Sequence, residues 1–277
     1  MDISKLLSEL SSDENWPKVE KLLRKSCAVI MDEFDKNPQK VKLDVLQLVN
    51  DLSRDNLKSP LVNFYVWNHR FIELMKEKNH RAAVDTYDFV DKFMPNATFN
   101  VDQMAVIRSK RDEILQLDGS ILDLGVYKGW STRGLASIFP EKIIHGFDSF
   151  EGLPDDWSHV LKGAFGDVKG VLPDMPDNVR LYKGWFQDTL PVWYEANRDK
   201  PISLLRIDCD IYSSTKAIFD SVGSLVQSGT WIFFDELIGY RGWQHHEYKA
   251  FTEFKERTNI EFEYVAYGLT YVLGYVK

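Results

Sequence analysis

A chain of 277 residues with 44% hydrophobic side chains can bury a sizeable core, either as one large domain or as a domain with an appendage. Its 42 acidic residues outnumber 34 basic ones, and a net charge of -8 excludes the generally basic surface that nucleic acid or an anionic membrane requires of a partner. Two cysteines, Cys27 and Cys209, stand in dissimilar contexts, which argues against a disulfide framework or a cysteine metal site and for two free thiols.

The opening MDISKLLSELSSDENW lacks the basic start and apolar centre of a secretory signal. No apolar run is long enough to span a bilayer, so a cytoplasmic protein is expected. Residues 1–100 read as a helical segment. Val19, Leu22 and Leu23, then Leu61, Phe64, Tyr65, Phe71, Ile72 and Met75, then Val84, Tyr87, Phe89 and Val90 recur at helical spacing with few glycines. This predicts helices over about 14–35, 40–54, 60–77 and 79–93, with stops at Pro38, Pro60, Asn79 and Pro95. The last pair resembles a helical-repeat hairpin. A helical cap or a dimerisation arm is the preferred reading, since one pair does not make a repeat.

Residues 101–277 read as a second domain, alternating between strand and helix as a doubly wound sheet requires. Strands are expected near 120–124, 143–147, 179–182, 202–208 and 230–235, then 261–266 and 270–276. The last two, in FEYVAYGLTYVLGYVK, form a hairpin through Gly268. A closing hairpin on a parallel sheet is unlike a dinucleotide-binding domain and fits an α/β, Rossmann-like class I methyltransferase sheet of seven strands with the last antiparallel.

The first βαβ unit carries the cofactor signal. ILDLGVYKGWS places Gly125 and Gly129 in the turn after a strand, and HGFDSF places Asp148 at the end of the next. Glycine lets the backbone approach a ligand, and the acid can accept hydrogen bonds from both hydroxyls of a ribose. The alternative is a turn that needs glycine only for its own geometry. The spacing is not G-x-G-x-x-G, which disfavours a nicotinamide enzyme.

Two acidic clusters fall at strand ends, where open α/β sheets bind ligands. Asp208 and Asp210 leave one strand in RIDCDIYSST, and Asp235 and Glu236 leave another in TWIFFDELIGY. Adjacent strands bring Asp208 and the Asp235–Glu236 pair to one mouth, within reach of one hard divalent cation such as Mg²⁺. Helix capping or solvation is the alternative. Arg206, two residues before Asp208, points to the same strand face and can pair with a carboxylate.

Five motifs in order, DLGVYKGWS, FDSFEGLP, VRLYKGWFQDTLP, LLRIDCDIYSST and FFDE, resemble the macrocin O-methyltransferase family over about residues 105–277. The family methylates sugar hydroxyls on macrolides and related natural products. The resemblance implies an S-adenosylmethionine-dependent O-methyltransferase, metal-assisted and oligomeric, acting on a small-molecule acceptor such as a glycoside. It implies that Gly125 and Gly129 shape the turn under the methionine part of the cofactor, with Asp123, Tyr127 and Ser131 close by. Asp148, assisted by Ser149, binds the ribose; Gly184, Trp185 and Phe186 lie near the adenine; Asp208 adjoins the cofactor. Asp208, Asp235 and Glu236 match metal-ligand positions, although many relatives have a second aspartate where this chain has Glu236.

The acceptor hydroxyl must lose a proton, for which Asp208, Asp210, His245 and His246 are the candidate bases. The two histidines open the helix HEYKAFTEF, where capping or solvation also explains them. Tyr240, Arg241 and Trp243 are candidates for an acceptor pocket, and the loop GLPDDWSHVLKGAFGDVKG reads as a lid or as a surface loop. Two further readings stand beside the O-methyltransferase: a metal-independent methyltransferase acting on another nucleophile, and a noncatalytic binding module on the same fold.

Overall fold

The computed structural model describes residues 60–157 and 162–277; the expected helices over 14–35 and 40–54, and Cys27, lie outside these. Lys76–Lys277 forms one compact unit, and Met1–Met75 a second.

One helix, α1 (Pro60–Phe93), spans the two segments between which a break at Asn79 was expected. Asparagine is only a weak helix former, and its cost of about 0.7 kcal/mol or less cannot break a helix that holds no glycine and no proline after its first residue. The helix stops before Pro95, as expected. Its last turns bury Ala82 and Phe89, the latter packing edge-on against Trp243, Tyr248 and Tyr264 at centroid distances of 5.1, 5.2 and 6.0 Å.

A short β1 (Thr98–Phe99) and helices α2 (Gln103–Ser109) and α3 (Arg111–Ile114) lead into the alternating part. There follow β2 (Ser120–Leu124), α4 (Trp130–Ile138), β3 (Ile144–Asp148), β4 (Val179–Lys183), α5 (Phe186–Asn197), β5 (Ile202–Ile207), α6 (Tyr212–Val222), β6 (Trp231–Phe234), α7 (Glu247–Thr258), β7 (Phe262–Tyr267) and β8 (Val272–Val276). The strands lie within two residues of their sequence-derived positions because most are short apolar runs closed by glycine or an acid.

The sheet order is β1-β7-β8-β6-β5-β2-β3-β4, with β8 antiparallel to both neighbours and the other pairs parallel. Seven strands in this arrangement are the class I methyltransferase sheet. The eighth, β1, adds two residues parallel to β7, too few to leave a periodic signal. The order reverses between β2 and β5, so the crevice beyond their carboxyl ends is where a ligand enters.

Both faces of the sheet are covered, and side chains alternate between two cores. Leu122, Leu124, Leu205, Ile207, Ile232 and Phe234 face one, and Ile121, Leu204 and Phe233 the other. Arg206 and Asp123 share the second face: Asp123 pairs in register with Arg206, and Arg206 with Phe233. A cation thus lies inside the sheet, beneath the crevice. No described helix is long and apolar enough to cross a membrane.

Candidate active site

The turn after β2 is bound tightly to the end of β5. Asp208 donates its N–H to the Leu124 carbonyl at 2.8 Å. Gly125 has φ +108, and a Cβ there would stand 1.7 Å from the Asp208 carbonyl oxygen. The glycine is therefore required first by the contact between strand ends, and it also lines the cavity above them. Gly129, φ 78, caps α4 behind this wall.

Asp148, at the end of β3, closes the same turn. Its Oδ2 accepts from the Val126 and Tyr127 N–H groups at 2.9 and 2.7 Å, and its Oδ1 from the Phe150 N–H at 2.6 Å. Four lone-pair sites on a carboxylate leave capacity for a further hydroxyl donor. Asp148 and Ser149 line the cavity, as do Tyr127, Gly184, Trp185 and Phe186. These residues thus line one volume of about 620 Å³, within the range of small-molecule sites.

Asp123, Ser131 and Gly129 do not line that cavity. Asp123 is fully buried and accepts from Thr132 Oγ1 at 2.6 Å, Ser131 Oγ at 3.4 Å and Arg206 Nη1 at 3.0 Å. Strand alternation turns it into the sheet, so it ties β2 to the first turn of α4 from behind.

The same cavity is lined by Asp208, Asp210 and Glu236. Each offers a carboxylate oxygen within 4.8 Å of the others. Arg206, 2% exposed, reaches Asp208 Oδ2 and Asp235 Oδ1, both at 2.9 Å, besides Asp123. Burial alone would lower the guanidinium's pKa, but Asp208, Asp123 and Asp235 together hold it above its ordinary value. One cation does not balance the surrounding acids. Burial pushes the Asp208 carboxyl up to about 8 against the pull of Arg206, and pushes Asp210 up to about 6. Glu236 is raised well above the ordinary carboxylate range by burial and then by Asp208 and Asp235. Its Oε2 is buried with no hydrogen-bond partner. Hard oxygen donors, excess negative charge and an unpartnered buried oxygen fit a divalent cation.

His245 is exposed and His246 half-buried, and neither lines the cavity. The residue turned inward at this helix start is Glu247. It is fully buried, with Oε1 accepting from the Cys209 N–H at 3.4 Å and Oε2 unpartnered. Burial, then Asp210 and Asp208, push its carboxyl well above the usual range. An acid in a first helical turn ordinarily reads as exposed, so the sequence offered no signal for it. Cys209 is a free, buried thiol, as expected.

The loop after β3 crosses the cavity, contributing Leu153, Pro154, Trp157 and Phe165 to its lining. Asp155 accepts from Ser213 Oγ at 3.0 Å, and Asp167 from Tyr127 Oη and Lys128 Nζ, both at 2.7 Å. Tyr240 stands edge-on to Trp157 at 5.5 Å. Trp243 instead packs into the core, 3% exposed, and Arg241 is exposed.

Residues 99–267 match the family model described as macrocin-O-methyltransferase (TylF). The chain belongs to this family. It is 27% identical over 146 residues to the 8-demethyl-8-(2,3-dimethoxy-alpha-L-rhamnosyl)-tetracenomycin-C 4'-O-methyltransferase of Streptomyces olivaceus, covering 43% of this chain and 52% of that one. It thus spans about half the length of the curated relative it matches. The crystal structure of CalS11, a calicheamicin methyltransferase, superimposes with a TM-score of 0.52 at 18% identity, over 79% of this chain and 94% of that one. At that identity the likeness establishes the fold. The O-methyltransferase NovP aligns with a TM-score of 0.47 at 20% identity, over 62% of this chain and 78% of that one.

Proposed function

We propose that this chain is an S-adenosylmethionine-dependent O-methyltransferase that modifies a hydroxyl of a sugar or other small natural-product acceptor, with a divalent cation such as Mg²⁺ assisting. One observation carries the reading. A single cavity is lined both by Asp148, Trp185 and Phe186 and by the carboxylates of Asp208, Asp210 and Glu236. Membership of the macrocin O-methyltransferase family supports the reaction type. The Streptomyces olivaceus relative is named for 4'-O-methylation of a rhamnosyl-tetracenomycin, which supports a glycosidic acceptor.

The chain's own residues have separable tasks. Asp148 has one acceptor site left for a ribose hydroxyl at the mouth of the Gly125 turn. Trp185 and Phe186 offer an aromatic surface to the base. Asp208 and Glu236 would hold the cation, and Asp210 beside them is placed to take the proton that the acceptor hydroxyl gives up. When bound, the cofactor supplies an activated methyl group and the cation lowers the pKa of the acceptor hydroxyl. Leu153, Pro154 and Trp157 give the cavity an apolar wall. The last turns of α1 pack against the segment after β6, where the Gly239 N–H donates to Thr86 Oγ1 at 3.1 Å.

Calorimetric titration with S-adenosylmethionine and S-adenosylhomocysteine, with and without Mg²⁺, tests the reading. Binding by the native chain that is lost in Asp148→Ala is expected. No binding in any condition would refute it and bring forward the noncatalytic binding module.

A further inference from the structure

Asp210, placed to take the proton of the acceptor, stands on backbone that few residues accept. Its φ is +65, and the Ile211 N–H donates to the Cys209 carbonyl at 2.7 Å, so the chain makes a three-residue turn about a positive φ, the rare and strained form. Such a turn persists only where its surroundings over-determine it. One end is fixed by Thr215 of α6, whose Oγ1 donates to the Ile211 carbonyl at 3.0 Å and lies 3.4 Å from Cys209 Sγ. At the other end the Asp208 N–H is held by the Leu124 carbonyl at 2.8 Å. Between them the Cys209 N–H goes to Glu247 Oε1 at 3.4 Å.

Glu247 reaches the turn from a distant element. It is the first residue of α7, which lies against α6 with Phe254 stacked on Phe219 at 4.4 Å and Glu253 Oε2 accepting from Tyr212 Oη at 2.8 Å. That packing brings its carboxyl to the Cys209 amide. The side chain is fully buried, its Oε2 has no hydrogen-bond partner, and Asp210 and Asp208 act on it as like charges. An apolar residue would be buried there at less cost. A costly carboxyl and a strained turn thus meet at the point from which Asp210 is aimed.

We infer that Glu247 is a positioning residue for methyl transfer: by holding the Cys209 amide it fixes the turn that directs Asp210 into the cavity. The inference rests on the reading of Asp210 as the proton acceptor. Glu247 itself does not line the cavity, so its loss should slow the reaction without weakening the cofactor.

The test compares the full native chain with Glu247→Leu, which removes the acceptor oxygen, and Glu247→Gln, which keeps one. Exchange of the Cys209 amide hydrogen, followed by nuclear magnetic resonance, is expected to quicken at least tenfold in Glu247→Leu and less than threefold in Glu247→Gln. With methyl α-L-rhamnopyranoside as the glycosidic probe, in Mg²⁺, kcat should fall at least tenfold in Glu247→Leu and recover to within threefold of native in Glu247→Gln. The KM for S-adenosylmethionine and the calorimetric affinity for S-adenosylhomocysteine should stay within twofold of native in both. Native exchange in Glu247→Leu, an equal loss of kcat in the two variants, or cofactor affinity falling together with kcat would overturn the inference. Should Glu247→Leu not fold, a tenfold loss of kcat in Glu247→Gln would overturn it as well. No transfer to the probe by the native chain would count against the glycosidic reading, while amide exchange still decides whether Glu247 holds the turn.

Discussion

Replacing Arg206 by methionine removes the guanidinium that contacts Asp123, Asp208 and Asp235 while keeping an unbranched apolar side chain in the sheet. The native guanidinium is 2% exposed and lies 3.0, 2.9 and 2.9 Å from Asp123, Asp208 and Asp235. Removing one partner of a buried ion pair costs about 3–5 kcal/mol, because the remaining charges stay buried without compensation. Asp123 keeps its bonds to Thr132 and Ser131, which limits the loss there. For a unit of this size about 2–4 °C of melting temperature accompanies each kcal/mol, so a fall of roughly 6–20 °C is expected near pH 8.

The loss should also depend on pH. A carboxyl whose pKa is raised by folding binds more protons in the folded than in the unfolded state, so stability falls as pH rises from the unfolded value of about 4 to the folded one. For the cation-free native protein this window extends to about 6 for Asp210 and about 8 for Asp208. Without the guanidinium, whose charge lowers it, the Asp208 carboxyl is raised further, which widens the window and increases the gap between variant and native protein with pH. Thermal and urea unfolding in chelator at pH 5.5 and 8, followed by circular dichroism, measure this. A gap below about 1 kcal/mol at pH 8, the range of an exposed pair, or one independent of pH, would refute the buried network as described.

Gly125→Ala and Gly242→Ala both force alanine into positive φ, at about 1–2 kcal/mol, but only the first drives a Cβ into backbone, at 1.7 Å from Asp208 O. Gly125→Ala should therefore lose S-adenosylhomocysteine binding by more than tenfold in calorimetry, whereas Gly242→Ala, with nothing within 4 Å, should keep it. Mn²⁺ affinity should rise from pH 6 to pH 8.5 with measurable proton release, since the cation displaces protons from Asp210 and Asp208, held at about 6 and about 8; affinity flat in pH would contradict those protonation states. Trp185→Ala should weaken S-adenosylhomocysteine by about three- to tenfold, the value of one aromatic contact, and unchanged affinity would place the adenine elsewhere. His245→Ala and His246→Ala should leave the pH profile of methyl transfer unchanged, and a shifted profile would return the histidines to the proton path.

Local chemistry wrote the frame of the molecule into its sequence. Apolar runs closed by glycine or acid gave the strands of the sheet, the Gly268 hairpin gave the antiparallel closure, and Gly125 and Asp148 marked the crevice, because each depends on a few consecutive residues. The helix boundary at Asn79 was read wrongly for the same reason, since a weak helix former counts for less than the surrounding turns. The arrangement of the acids was different. Which of Asp210 and Asp235 faces the cavity depends on strand register, on the left-handed turn at Asp210 and on the reach of Arg206 across three strands. The inward turn of Glu247 and the withdrawal of Asp123 and Ser131 behind the wall likewise follow from elements distant in sequence. Residue types and spacing thus determined the fold and the place of the site, whereas only the tertiary structure decided which carboxylates share it, because charges are partnered by proximity in space and not by order along the chain.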